Sequence, residues 1–157
     1  MAIHIVLYQP EIPANTGNIA RTCVATNATL HLIHPLGFEI TDKRVKRAGL
    51  DYWKYLNIRE YEHIDELFSR YERGVFYFVE DYGEQYYTDV DFKHIEEDIF
   101  LVFGQETNGI PETLLQQAEE HCIKVPMGSK VRSLNLSNTV AIVLYEVLRQ
   151  KNFPILD

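Results

Sequence analysis

The stretch Ile123–Glu146, IKVPMGSKVRSLNLSNTVAIVLYE, is the part of the chain that predicts the most about its fold. It begins with an apolar run typical of a strand end and continues through a small, polar, basic loop, residues 128–133. A long apolar helix then opens at Asn135 and Ser137. In α/β proteins ligands bind where a strand ends and a helix begins, because the free N–H groups of the helix face that crevice. Asparagine and serine at this position can cap the helix and still contact a ligand.

Strand-like and helix-like segments alternate through the rest of the chain. Nearly continuous apolar runs predict strands that are covered on both faces, and apolar residues three and four apart predict helices. The predicted strands are Ile3–Tyr8, Leu30–Ile33, Val75–Val79, Ile99–Phe103 and Ile123–Pro126, and the predicted helices are 15–27, 64–72, 111–119 and 136–151. This alternation predicts a single α/β domain over residues 1–157, with a mainly parallel sheet flanked by helices. We expect the acidic stretch 81–98 to be its loosest part, a surface excursion.

Composition excludes several classes of protein. Hydrophobic residues make up 46% and charged residues 24%, which is ordinary for a globular domain. Apolar runs such as Val140–Leu144 are too short to span a bilayer, and the N terminus has no signal-peptide pattern. The two cysteines lack CxxC spacing and the six histidines lack metal-ligand spacing, so we predict neither a disulfide framework nor a metal site. We expect a cytoplasmic protein with reduced thiols and no membrane contact.

The net charge of −8 is unevenly distributed along the chain. Residues 42–59 carry a local charge of +4, whereas residues 60–98 carry −10. Tyr52, Trp53 and Tyr55 lie within the basic segment, and basic side chains interleaved with aromatic rings can form an RNA-facing surface. The alternative, which charge alone favours, is a solvated face with a few aromatic residues in the core.

The final helix is apolar around most of its circumference. One stripe is formed by Leu136, Val140, Val143, Leu144, Val147 and Leu148, and it is widened by Ala141, Ile142 and Tyr145. Such a helix is buried on more than one side, and in so small a domain we expect the second side to be covered by another subunit. A homodimer is therefore predicted, with a fully enclosed core helix as the alternative.

The first motif with chemical potential is NTGNIAR, residues 15–21. Asn15 or Thr16 can cap the predicted helix, and Gly17 lets another backbone approach closely. Arg21 lies about one turn further along and can reach back toward the helix start. A positive helix end together with a guanidinium suits a phosphate. The alternative is a well-capped helix with a surface arginine.

The second motif is LVFGQETNGIP, residues 101–111. A buried strand ends at Gly104, where the missing Cβ would admit a ligand close to the backbone. The motif is neither a P-loop nor a GxGxxG dinucleotide fingerprint. Glu106 could act as a base, as a ligand anchor or as a helix-capping acid.

The third motif is the stretch 123–146 quoted at the start. In its loop, Ser133 can hydrogen-bond a ligand beside the basic Lys130 and Arg132.

Taken together, NTGNIAR, FGQETNGIP and IKVPM…RSLNLSNTVA resemble, in order and spacing, the three motifs of the SPOUT RNA methyltransferases. The chain length and the opening LYQPEIPANTGNIAR are similar to the small single-domain YibK-like (TrmL) group, which methylates the wobble nucleotide of leucine tRNAs. The resemblance implies a SPOUT (α/β-knot) fold with a C-terminal trefoil knot, an exception to the rule against threaded chains. It also implies an obligate homodimer that binds tRNA and S-adenosyl-L-methionine and releases S-adenosyl-L-homocysteine.

By position, the resemblance implies a cofactor pocket that includes Val79, Gly104, Val125 and Ser133. It implies an active site composed of Arg21, Glu106, Ser133 and Asn135, with Arg21 acting on the ribose hydroxyl. This chain departs from many relatives at Gln105 and Asn108, where proline and arginine are frequent, and from some at Leu134, where methionine stands.

Arginine stays protonated and is therefore a poor base. Our hypothesis is that Arg21 binds a phosphate next to the target ribose and lowers the pKa of the hydroxyl. The remaining alternatives are a SPOUT enzyme for another tRNA position or for rRNA, a non-catalytic RNA-binding dimer, and a nucleotide-binding oxidoreductase. The missing GxGxxG counts against the oxidoreductase. We predict that residues 43–54 read the RNA, with Arg44 and Arg47 contributing to its binding.

Overall fold

The structure is a computed structural model that describes residues 1–41, 43–49 and 52–154, and gives only the backbone of Lys46, Ala48, Gly49 and Glu119. Asp42 and Asp51, which belong to the basic segment 42–59, lie outside the described residues. The strands are β1 (Ile3–Tyr8), β2 (Thr29–Ile33), β3 (Ile58–Tyr61), β4 (Val75–Val79), β5 (Gln85–Tyr86), β6 (Ile99–Phe103) and β7 (Cys122–Lys124). The helices are α1 (Pro13–Thr26), α2 (Lys43–Gly49), α3 (Ile64–Arg70), α4 (Glu112–Leu115) and α5 (Leu136–Gln150), with 3₁₀ turns at Trp53–Tyr55 and Glu119–His121.

The described strands form one parallel sheet in the order β3-β2-β1-β6-β4-β7-β5. This confirms the predicted α/β fold with a mainly parallel sheet. The register aligns Leu7 with Phe103, Phe103 with Val79, and Val79 with Ile123. The loops that follow β1, β4, β6 and β7 therefore leave the sheet along one edge, where ligands bind in open α/β sheets.

Each face of the sheet carries its own apolar cluster. Along β1, Ile5 and Leu7 pack with Cys23 of α1 and with α5, whereas Val6 points to the other face and packs with Tyr61. This alternation explains the nearly continuous apolar runs, because both faces of a parallel strand are covered.

Two strands and one helix differ from the prediction. The edge strand β3 contains Arg59 and Glu60, and β5 is two residues long, so neither has the apolar run by which a strand is recognised. Helix α4 ends at Leu115 rather than near residue 119, and a 3₁₀ turn at Glu119–His121 then leads into β7.

The prediction that residues 81–98 form the loosest part of the chain is wrong. Phe92 is fully buried and Val90 is 5% exposed, and both belong to the core cluster that contains α5. The side chain of Gln150, at the end of α5, accepts a hydrogen bond from the N–H of Phe92 at 2.8 Å and donates one to the carbonyl of Val90 at 2.9 Å. This excursion is therefore fastened to the last helix.

Helix α5 is buried along the predicted stripe, including Val143 and Leu144. Ile142 and Tyr145, however, remain 36% and 44% exposed on its outer side. The trefoil knot implied by the resemblance stays a prediction. Within the described part of the chain, none of the helices combines the length and apolar character that a membrane crossing requires.

Candidate active site

A cavity of about 430 Å³ opens at the carboxyl edge of the sheet. It lies between the ends of β4, β6 and β7 and the beginnings of α1 and α5, and its volume is typical of small-molecule sites. Its lining includes Val79, Gly104, Glu106, Val125, Ser133 and Asn135, which are all the predicted site residues except Arg21. The apolar part of its wall also includes Phe103, Met127, Leu134 and Leu136.

Gly104 lines the cavity, and its missing side chain also makes room for backbone of its own loop. The loop after β6 folds back on itself, with paired backbone hydrogen bonds of 3.1 and 2.9 Å between Gln105 and Gly109. A Cβ at Gly104 would collide with the backbone of Gly109 and Ile110. Gly109 has φ +66°, a left-handed conformation that favours glycine. The missing side chain of Gly104 thus makes room for the loop's own backbone beside the cavity.

Two glutamates fasten the second motif to the loop before α1. Glu106 accepts hydrogen bonds from the N–H groups of Glu11 at 2.8 Å and Ile12 at 3.0 Å. Glu11 in turn accepts from the N–H of Thr107 at 3.0 Å and from its hydroxyl at 2.7 Å, and these bonds lower the pKa of the Glu11 carboxyl. Ile12 is the N-cap of α1, so Glu106 caps α1 rather than the helix that follows it in sequence.

Asn15 connects all three motifs. Helix α1 begins at Pro13, upstream of the predicted start, so Asn15 lies inside the helix and is 6% exposed. Its amide donates to Glu106 at 3.4 Å, and its carbonyl accepts from Asn135 at 3.1 Å. Asn135 caps α5 as predicted, accepting from the N–H of Ser137 at 2.9 Å. The prediction treated Asn15 only as a cap, although a proline at 13 places the helix start before it.

The sequence motifs did not include two carboxylates that line the cavity, Glu80 and Asp81. Glu80 accepts a hydrogen bond from the N–H of Ile110, and burial raises the pKa of its carboxyl. Burial also raises the pKa of Asp81. Both follow directly after β4, and acidic residues at the end of a buried strand are the signal that could have identified them.

Gln105 and Asn108, the two positions at which this chain departs from the pattern of many SPOUT relatives, contact each other. The amide of Asn108 donates to Gln105 at 3.1 Å, and Gln105 donates to Gln9 at 2.9 Å. Asn108, Gln105 and Gln9 are therefore linked by consecutive side-chain hydrogen bonds. These bonds further connect the loop after β6 to the loop after β1.

Arg21 lies outside the cavity lining, on the exposed side of α1. Its guanidinium carbon is 4.9 Å from the centroid of the Tyr52 ring, and its Nη2 donates to the Tyr52 hydroxyl at 3.3 Å. Within this chain the structure thus brings together the predicted cofactor residues with Glu106 and Asn135, and keeps Arg21 apart from them.

The predicted RNA-reading segment packs beside Arg21. Helix α2 contacts α1 and buries Val45, while Lys43, Arg44 and Arg47 are exposed. Lys54 lies 4.9 Å from the centroid of the exposed Tyr55 ring. The described residues contain no group of three or more His, Cys, Asp or Glu arranged to hold a metal ion.

Comparisons with known proteins agree with this geometry. The SpoU rRNA Methylase family matches residues 2–145. A Bacillus subtilis protein, named as a candidate tRNA (cytidine(34)-2′-O)-methyltransferase, is 56% identical over 153 residues, which cover 98% of this chain and 96% of the relative.

Solved structures have the same fold. A Bacillus anthracis protein, described as a candidate RNA methyltransferase, superposes with a TM-score of 0.93 at 54% identity, covering 99% of this chain and 98% of that chain. A structure described as "Structural insights into the 2-OH methylation of C/U34 on tRNA" has a TM-score of 0.89 at 39% identity, with coverage of 96% and 97%.

Proposed function

The chain belongs to the SpoU rRNA methylase family, and from this premise we propose that it transfers a methyl group from S-adenosyl-L-methionine to the ribose 2′-hydroxyl at wobble position 34, cytidine or uridine, of leucine tRNAs. The observation that carries this proposal is the hydrogen-bonded line Glu106–Asn15–Asn135, which joins three distant motifs around one cavity. The names of similar proteins, which specify cytidine 34 or C/U34 of tRNA, support the position.

The residues around the cavity fit a methyl donor of this kind. Val79, Val125 and Leu134 supply apolar surface for a heterocyclic base, and Ser133 can hydrogen-bond a polar group. The carboxylates of Glu80 and Asp81 line the same cavity and favour a positively charged ligand. When bound, S-adenosylmethionine supplies a methyl group on a cationic sulfur, an electrophile that needs neither a metal nor a covalent enzyme intermediate.

The chain's own residues have to align the acceptor and help remove its proton. Holding two reactants in line accounts for much of the acceleration in reactions of this type. Arg21 stays protonated at neutral pH, so in our proposal it binds a phosphate beside the target ribose and lowers the pKa of the 2′-hydroxyl. The phosphate or a water molecule then accepts the proton.

We also propose that the protein acts as a homodimer in the cytoplasm. Ile142 and Tyr145 form an exposed apolar strip on α5, between the exposed polar side chains of Asn138 and Arg149. A second copy that covers this strip would remove it from water. The exposed basic side chains of α2 then provide the tRNA-binding surface of each subunit.

The test is to incubate the protein with labelled S-adenosylmethionine and total tRNA from a strain lacking the enzyme, and to map the methylated nucleotide. We expect label at the ribose of nucleotide 34 in leucine tRNAs. Label at another tRNA position, or in rRNA added in parallel, would contradict the proposed substrate. Calorimetric binding of S-adenosylhomocysteine without any transfer to RNA would instead indicate a non-catalytic RNA-binding protein.

A further inference from the structure

Tyr52 contacts Arg21 in two ways at once. Its ring lies against the guanidinium at 4.9 Å, and its hydroxyl accepts the 3.3 Å hydrogen bond from Nη2. The segment that carries this tyrosine is anchored, because the neighbouring Trp53 packs against the core cluster and the 3₁₀ turn contacts α1. Tyr52 itself remains 36% exposed, so its ring faces the same solvent-accessible surface as Arg21.

These contacts restrict a side chain that would otherwise be mobile. An arginine on a helix surface populates many rotamers, and aligning it with a phosphate costs conformational entropy. The contact with the ring and the hydrogen bond to the hydroxyl restrict the guanidinium at two points at once. The guanidinium has five N–H donors and Tyr52 accepts from one of its nitrogens, which leaves the others to contact a phosphate.

We propose that Tyr52 is a positioning residue for methyl transfer, which holds the guanidinium of Arg21 in the orientation that contacts the RNA phosphate. This inference rests on the proposed function, in which Arg21 acts on the acceptor. It predicts that Tyr52 affects the rate of transfer through Arg21 and leaves the cofactor cavity unchanged, because Tyr52 does not line that cavity.

The first experiment compares Tyr52→Phe, which keeps the ring, with Tyr52→Ala, which removes both contacts. We expect kcat on tRNA to fall about threefold in the phenylalanine variant and about tenfold in the alanine variant. KM for tRNA and the affinity for S-adenosylhomocysteine should remain within about twofold of wild type. Tyr86→Ala is the matched control, because that ring is also exposed, at 45%, contacts a cation in Lys124, and lies outside both the basic segment and the cavity lining.

The second experiment removes Tyr52 in an Arg21→Ala background. If Tyr52 acts through Arg21, the double variant should be no slower than Arg21→Ala alone, whereas independent effects would multiply. The inference is overturned if Tyr52→Ala retains the wild-type kcat, is faster than wild type, or slows the Arg21→Ala protein by the same factor. Because the phenylalanine variant preserves the packing of the ring, it still gives a result if the alanine variant does not fold.

These outcomes separate the inference from the proposed function. A wild-type protein that transfers no methyl group to tRNA would overturn both, and so would an Arg21→Ala protein with full activity. An active wild type and an impaired Arg21→Ala protein, combined with Tyr52 variants that match the wild type, would overturn only the role of Tyr52.

Discussion

The cavity at the sheet edge and the surface around Arg21 are held in place by different means. Around the cavity, Glu106, Glu11 and Asn15 bind backbone and side-chain groups of other loops, so three segments lock one another. Among the described residues, Arg21 is held by Tyr52, through contact with its ring and through one 3.3 Å hydrogen bond donated to its hydroxyl. This difference matches the proposed ligands, because a small methyl donor requires a preformed pocket whereas a large RNA can adjust to exposed side chains.

The largest effect should come from adding a side-chain atom at Gly104, beside the cavity. A Gly104→Ala substitution places a Cβ against the backbone of Gly109 and Ile110, which no side-chain movement can relieve. We expect the free energy of unfolding to fall by about 3 kcal/mol and binding of S-adenosylhomocysteine to be lost. Thermal melts and calorimetry measure both quantities. Gly128→Ala is the matched control, because its Cβ would meet nothing within 4 Å, and it should behave as wild type.

Removing one of the hydrogen bonds that join the loop after β6 to the loop before α1 should have a smaller effect. Glu106→Gln replaces an oxygen that accepts from a backbone N–H with an NH₂ group, so Glu11 or Ile12 loses its acceptor. The expected loss of stability is about 2 kcal/mol, with about tenfold weaker binding of S-adenosylhomocysteine. Glu112→Gln makes the same change in charge at an exposed position and should alter neither quantity. If the two variants melted alike, the hydrogen bonds of Glu106 would not hold the cavity.

Changing the basic surface should affect RNA and spare the cavity. Reversing the charge of Arg44 and Arg47 is expected to weaken tRNA binding about tenfold at physiological salt and to lower its salt dependence. Binding of S-adenosylhomocysteine should stay at the wild-type value, as measured by calorimetry beside filter binding of tRNA. Reversing Arg70 and Arg73 together is the control, since it makes the same change in net charge and both side chains are exposed between the end of α3 and the start of β4, at the opposite edge of the sheet. Equal losses in both proteins would indicate a non-specific effect of net charge.

Mild acid should lower the stability of the sheet that supports both the cavity and the surface around Arg21. His4 of β1 and His31 of β2 are buried, with His4 Nδ1 2.8 Å from His31 Nε2. Burial lowers the pKa of both, that of His31 to about 3, where the charges of His4, Arg59 and Arg70 act in the same direction. Asp98 lies 3.6 Å from His4 Nε2 and opposes the shift at His4 without reversing it.

Because these imidazoles have a lower pKa when folded than when unfolded, their stabilising effect is complete above about pH 6.5 and decreases as the pH falls, for His31 until about pH 3. We expect His31 to lower the free energy of unfolding by about 1 kcal/mol at about pH 5.5 relative to neutral pH. Thermal melts across this range measure the slope, which should be shallower in His31→Gln. An unchanged slope in that variant would rule out His31 as its source.

The sequence predicted the elements whose signals are local. β1, β4 and β6 have the predicted bounds, because each is an apolar run that needs no partner to be recognised. The edge strands β3 and β5 were not predicted, since a polar or two-residue strand forms only where a neighbouring strand supplies its hydrogen bonds. The acidic stretch 81–98 was predicted to be a loose surface excursion, yet contacts with α5 bury its Phe92.

The same distinction holds for the candidate site. Gly104 follows the end of β6, Asn135 caps α5, and Ser133 lies in the loop before that cap. Turn residues and caps define these positions locally, so their place beside the cavity could be predicted. That Glu106 caps α1, that Glu80 binds the N–H of Ile110 and that Arg21 rests on Tyr52 could not. Glu106 and Glu11 are 95 residues apart, and such a hydrogen bond depends on the order in which strands enter the sheet. Apolar spacing and turn chemistry are properties of neighbouring residues, whereas the partner of a polar side chain is decided by which loops the finished sheet brings together.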